Sequence, residues 1–149
     1  MKVVVGSDHA GFKLKEHIKE LLAKGGHEVI DVGTHSTEST DYPDWGSAVG
    51  TKVVELEKLG EVRGICVCGS GIGISIAANK VPGARAALVY ESTAARLARQ
   101  HNNANILCLG ERLIGPALAE DAVKAFLETP FEGGRHARRV EKLNDLGNK

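Results

Sequence analysis

The tightest constraint on this chain is a rhythm. Five short, largely apolar runs recur along it, and a segment with helical spacing follows each. Val3-Val4-Val5 is the first run and Glu28 to Gly33 the second. Gly64-Ile65-Cys66-Val67-Cys68, Arg85 to Tyr90 and Asn105 to Gly110 complete the set. Continuous runs of this kind are strands buried on both faces, the pattern of a parallel sheet covered by helices. Strand and helix in alternation mean βαβ units and a three-layer α/β/α sandwich. A chain of 149 residues fits one domain, residues 1–149, with enough length to bury a core.

The intervening segments read as helices. Phe12, Leu14, Ile18, Leu21 and Leu22 share one face and stop at Gly25-Gly26. A polar loop, Thr34 to Asp44, precedes a helix over Trp45 to Leu59 that ends at Gly60. Ser92-Thr93 is expected to cap a helix reaching Gln100. Pro116 to Leu127 forms another, and the charged tail from Arg135 to Leu146 forms the last.

In an open parallel sheet, ligands sit beyond the carboxyl ends of the strands. The residues just after each run are therefore the candidates. Strand one delivers Asp8 and His9, strand two leads to Asp41 and Tyr42, and strand three delivers Cys68 with Gly69, Ser70, Gly71, Ile72 and Gly73. The fourth unit ends at His101-Asn102-Asn103, and strand five runs into Gly110-Glu111-Arg112. All of these are expected to converge on one rim.

The third loop is the most informative. A β-branched run passes through three alternating glycines into a helix, presenting free N–H groups and a helix N-terminus to an anion. Cys68 stands where the strand ends, and that environment favours a thiolate. Cys66 and Cys108 lie within strands and read as small buried hydrophobes. Arg135 and Arg139 stand four apart, on one helix face, while Arg138 lies off that alignment.

Charge and composition exclude several classes. Nineteen basic residues balance nineteen acidic ones, against a binder driven by bulk attraction to nucleic acid. Three cysteines, an odd number, read as reduced thiols of a cytoplasmic protein rather than a disulfide framework. No apolar run is long enough to span a bilayer, and a strand beginning at Lys2 leaves no room for a signal peptide. Two nucleotide motifs fail. Gly6 to Lys13 has Phe12 where a P-loop needs its lysine, and the Gly69, Gly71, Gly73 series brings its third glycine one residue early for the dinucleotide fingerprint, although Glu91 stands where a ribose-binding acid is expected. No His, Asp or Glu cluster shows metal-ligand spacing, so neither metal nor cofactor is expected.

Thiolate, histidine, loop N–H groups and paired arginines are the set that an aldose–ketose phosphate isomerisation needs. An acid/base opens the ring, a base moves a proton between C1 and C2, donors hold the enediolate and cations hold the phosphate.

Five motifs carrying these residues resemble those of the type B ribose-5-phosphate isomerases, a family that includes the galactose-6-phosphate isomerase subunits. They are Gly6 to Phe12, Thr40-Asp41-Tyr42-Pro43, Cys68 to Lys80, Arg99-Gln100-His101-Asn102 and Glu132-Gly133-Gly134-Arg135-His136. The resemblance covers the whole chain, in order. It implies a Rossmann-like five-stranded parallel sheet of order 2-1-3-5-4. It also implies a homodimer or dimer of dimers, active sites built across the interface, and a C-terminal helix, about 135–146, at that interface. Carried over position by position, Cys68 is the proton-shuttling base, His101 the ring-opening acid/base, and Gly69 to Gly73 the enediolate hole. Ser70 sits in that hole and can orient the thiol. Asp8 and Asn102 resemble sugar contacts, with Tyr42 packing near the sugar, and His9, Arg112, Arg135 and Arg139 the phosphate-binding set. Some members replace the cysteine by a glutamate later in the loop; here that place is Ile74-Ser75, so the thiol version applies. The expected reaction interconverts ribose 5-phosphate and ribulose 5-phosphate. The alternatives are allose 6-phosphate or galactose 6-phosphate as substrate, a nucleotide-binding module without activity, and a scaffold in which Cys68 is structural.

Overall fold

The computed structural model describes residues 1–147. Five parallel strands form one sheet in the order β2-β1-β3-β5-β4. They are β1 (Lys2–Ser7), β2 (Glu28–Asp31), β3 (Val62–Cys68), β4 (Ala86–Leu88) and β5 (Ile106–Gly110). The helices are α1 (Phe12–Lys24), α2 (Tyr42–Glu57), α3 (Ile72–Asn79), α4 (Ser92–Asn102), α5 (Pro116–Glu128) and α6 (Arg135–Asp145). Among the described residues no helix is long and apolar enough to cross a membrane.

The sheet is buried on both faces because its central strands carry apolar side chains on both. Val3, Val5, Ile65, Val67, Leu107 and Leu109 face α1, α4 and α5, forming one core with Ile18, Leu22 and Phe126. Val4, Cys66, Cys68, Ile106 and Cys108 face the other way, against Val49, Val53 and Ile74. This is the sandwich expected from the apolar runs.

Two helix starts differ from expectation. The polar loop ends at Asp41, and Pro43 lies in the first turn of α2. Proline suits that place because its missing N–H would have no helical partner there. At α4 the cap is Glu91 rather than Ser92 or Thr93: its carboxylate accepts from the Thr93 N–H (2.7 Å) and the Ala94 N–H (2.6 Å). These bonds hold Glu91 below the usual carboxylate range, and they occupy the acid that a nucleotide-binding reading would give to a ribose.

Lys15 is fully buried on α1. Its ammonium lies 2.8 and 3.0 Å from the two Asp31 oxygens, and it also donates to the Thr34 carbonyl. Asp31 accepts further bonds from Lys19 (2.8 Å) and from the Gly33 N–H (2.9 Å). Burial pushes the Asp31 carboxyl up, but the bonds from Lys15 and Lys19 outweigh it and leave the group below its usual range. The cluster fixes the exit of β2, from which the loop toward the sheet rim departs.

Replacing Lys15 by Met takes away the buried partner of Asp31, leaving it Lys19 and the Gly33 N–H, and leaves the Thr34 carbonyl without that donor. The change should cost roughly 3 kcal/mol in urea unfolding at pH 7. A carboxyl depressed in the fold stabilises above its unfolded pKa of about 4 and loses that contribution as pH falls through the folded value. The gap between Lys15→Met and the parent should therefore narrow below about pH 4.

Candidate active site

Strand order brings three strand ends side by side. Ser7 pairs with Val67 across β1 and β3, and Cys68 with Gly110 across β3 and β5. The next residues of each strand, Asp8, Gly69 and Glu111-Arg112, must then be neighbours. Asp8, Gly69 and Arg112 line a pocket of about 320 Å³ together with His9, Tyr42, Cys68, Ser70 and Gly73.

The glycine loop is fastened to the end of β5. The Glu111 N–H donates to the Cys68 carbonyl (3.0 Å) and the Arg112 N–H to the Gly69 carbonyl (2.9 Å). Gly110 permits that approach, since a Cβ there would lie 2.4 Å from the Ser70 carbonyl oxygen. Gly71 has φ +81°, which turns the chain into α3 and aims its N–H at the Cys68 sulfur, 3.1 Å away. The Ile72 N–H donates to the Ser70 hydroxyl oxygen (3.1 Å), which leaves the hydroxyl proton free to donate. The Tyr42 ring lies against Gly73, where a Cβ would come within 2.4 Å of it.

On the β1 side, one Asp8 oxygen accepts the Gly11 N–H (3.1 Å) and caps a short turn holding His9. His9 is held by backbone. Its Nδ1 lies 3.1 Å from the Thr40 N–H and 3.2 Å from the Thr40 carbonyl. The Thr40 hydroxyl accepts from the Trp45 indole N–H (3.0 Å), and the indole packs on Gly33. Thr40 and Trp45 thus support the site without lining the pocket.

His101, Asn102, Arg135 and Arg139 do not join this pocket, contrary to the expectation of a single rim. The reason is topological. Helix α4 leaves the carboxyl end of β4 and runs back along the sheet, so its last turn lies where β5 begins. There the Ala104 N–H meets the Ala98 carbonyl, and the Asn105 carbonyl meets the N–H of Gly64 near the start of β3. The start of α6 joins the same corner, because the Glu132 N–H donates to the Gln100 carbonyl (3.1 Å). His101 Nε2 lies 3.6 Å from a Glu132 carboxylate oxygen, and its ring stacks on His136 with centroids 4.4 Å apart. Desolvation, then the charges of His101 and Arg135, hold His136 below the usual imidazole range. One copy of the chain therefore carries two groups of predicted residues, one at each end of the sheet.

A model of the ribose/galactose isomerase family matches residues 3–143. The chain belongs to this family. It is 49% identical to ribose-5-phosphate isomerase B of Escherichia coli over 145 residues, covering 97% of this chain and 95% of that one. The structure of ribose-5-phosphate isomerase B from Clostridium thermocellum superposes with a TM-score of 0.93 at 54% identity, over 98% of this chain and 97% of that one. That of the Mycoplasma genitalium enzyme, with ribulose-5-phosphate bound, gives 0.90 at 42% identity, over 96% and 93%. The five-stranded order 2-1-3-5-4 is the one the family resemblance implied.

The three thiols of this family member differ in setting. Cys66 and Cys108 are cross-strand partners sealed in the sheet, and their mutual hydrogen bond, then burial, pushes Cys108 well above the usual thiol range. Cys68 alone reaches a pocket. Brief treatment of the native protein with iodoacetamide should carboxamidomethylate Cys68 and spare the other two, read by peptide mass spectrometry; equal labelling would contradict this burial pattern.

Proposed function

We propose that the chain interconverts D-ribose 5-phosphate and D-ribulose 5-phosphate through a cis-enediolate. The observation that carries this is Cys68 lining one pocket with Asp8, its sulfur accepting the N–H of Gly71 in the glycine loop. The named activity of the E. coli relative and the ribulose-5-phosphate in the M. genitalium structure support the same substrate.

Cys68, as thiolate, takes the proton from C2 of the open aldose and returns it to C1. The electron pair left at C2 forms the C1=C2 bond while the C1=O1 π pair moves onto O1, where charge collects. The O2 hydroxyl proton then passes to O1, and as C2=O2 forms the C1=C2 pair returns to C1, where the thiol delivers its proton. Loop N–H groups between Gly69 and Gly73 are the donors for that charge, and preorganised donors of this kind act without reorganising during the reaction. Asp8 and Tyr42 contact the sugar, and His9 and Arg112 face the phosphate end.

The second group completes the site in a homodimer. His101 opens the ring, Asn102 contacts the sugar, and Arg135 and Arg139 hold the phosphate, all from a second copy. Helix α6 then lies at the interface of two single-domain subunits. The exposed apolar side chains Ile72 and Ile76, one turn apart on α3 beside the pocket, support such a contact. The three unpaired thiols support a reducing, cytoplasmic setting.

Purified protein with chelator present should convert ribose 5-phosphate to ribulose 5-phosphate. Cys68→Ala should lower both that conversion and exchange of the C2 proton with solvent by about 10² to 10⁴, the usual contribution of a general base. Wild-type rates in the variant would remove Cys68 from the base role. The family description names galactose as well as ribose, so comparing kcat/KM for five- and six-carbon phosphates decides between those substrates.

A further inference from the structure

His101, Glu132 and His136 form the one cluster among the described residues whose nitrogen and carboxylate atoms all lie within 4.8 Å of one another. A divalent metal fits it poorly. The two rings are stacked 14° from parallel, so their in-plane lone pairs run side by side rather than converge. Arg135 and Arg139 also bear on the same corner as positive charges. The arrangement suits a proton instead.

We infer that Glu132 is the positioning residue for His101, and that its carboxylate sets the ring orientation from which His101 opens the sugar. This rests on the reading of His101 as the ring-opening group. The His101–Glu132 separation of 3.6 Å is slightly long for a hydrogen bond, as catalytic contacts often are before substrate binds. Three features hold the pair together. The Glu132 N–H is tied to the carbonyl of Gln100, the residue before His101. The Gly133-Gly134 turn brings the chain back so that His136, through its own N–H to the Gly133 carbonyl (3.0 Å), starts α6 directly against the ring. His136 then covers one face of His101, leaving rotation in the ring plane for the carboxylate to fix.

With Nε2–H donating to Glu132, Nδ1 carries the lone pair. In ring opening, Nδ1 takes the proton of the O1 hydroxyl, the C1–O4 bond breaks with its electron pair going to O4, and C1=O1 forms. His101 returns the proton to O4. One proton thus moves from O1 to O4, and the imidazolium between those events is the species a neighbouring carboxylate stabilises.

Ribulose 5-phosphate offers a way to isolate this step, because its C5 hydroxyl is esterified and it cannot close to a furanose. Its C1 proton exchange with solvent needs the thiol and the loop but no ring opening. Glu132→Gln should lower kcat/KM for ribose 5-phosphate by about tenfold, part of the 10² to 10⁴ available to the acid/base itself. In the same variant, deuterium uptake into ribulose 5-phosphate in D₂O should stay within about twofold of the parent rate, the carboxylate lying outside that step. In a His101→Ala background, Glu132→Gln should cost nothing further. Equal losses of conversion and exchange, or additive losses in the double variant, would overturn the inference. A parent protein that fails to convert ribose 5-phosphate, by contrast, would overturn the functional reading on which it rests.

Discussion

Everything in this molecule depends on the direction of its strands. A parallel sheet must be re-entered from the same end each time, so every helix carries the chain back across the full depth of the sheet. That return separates what sequence adjacency would otherwise unite. Residues after β1, β3 and β5 gather at one end, and residues after α4 gather at the other. The inner strand order β1-β3-β5 then decides which loops touch, placing Asp8, Cys68 and Arg112 together.

Buried charge does the fixing at both ends. At the pocket end Lys15 grips Asp31 and the Thr34 carbonyl. At the other end Arg99 lies buried, pushed down to about 10 chiefly by desolvation and so still cationic at neutral pH. Its guanidinium reaches the Ala104 carbonyl (2.6 Å), the Asn103 side chain (2.9 Å) and the Thr129 carbonyl (3.2 Å). It therefore ties the end of α4 to the segment leading into α6, which is why His101 and Glu132 keep company. Both cations reach backbone carbonyls at element ends, where helices and loops leave acceptors without partners, Lys15 adding the Asp31 carboxylate.

How much of this could be read from the sequence differs by level. The strands were legible because a strand buried on both faces must be apolar throughout, and Val3-Val4-Val5 or Ile65 to Cys68 fits little else. The pocket residues followed, since topology alone places Asp8 and Cys68 at strand ends. The start of α2 was hidden by a loop rich in serine and threonine, although Pro43 was a signal for a first turn. Glu91 was hidden because a longer side chain capped α4 in place of the usual short ones. The division of the predicted residues between two ends of the sheet was not legible in spacing, which does not say at which end of a sheet a helix stops; only the family resemblance, with active sites built across an interface, pointed toward it. The support given to His9 had no signal at all, because the atoms that hold it belong to the Thr40 backbone.

That backbone grip has a consequence for the tautomer of the ring. Thr40 offers an amide N–H and a carbonyl to the same ring nitrogen, at 3.1 and 3.2 Å. A bare Nδ1 accepts from the first, and an Nδ1–H donates to the second, with little movement between them. The ring therefore keeps a backbone partner whichever nitrogen carries the proton. The pocket wall is thus indifferent to tautomer: His9 can turn Nε2 outward as donor or as acceptor without being rebuilt.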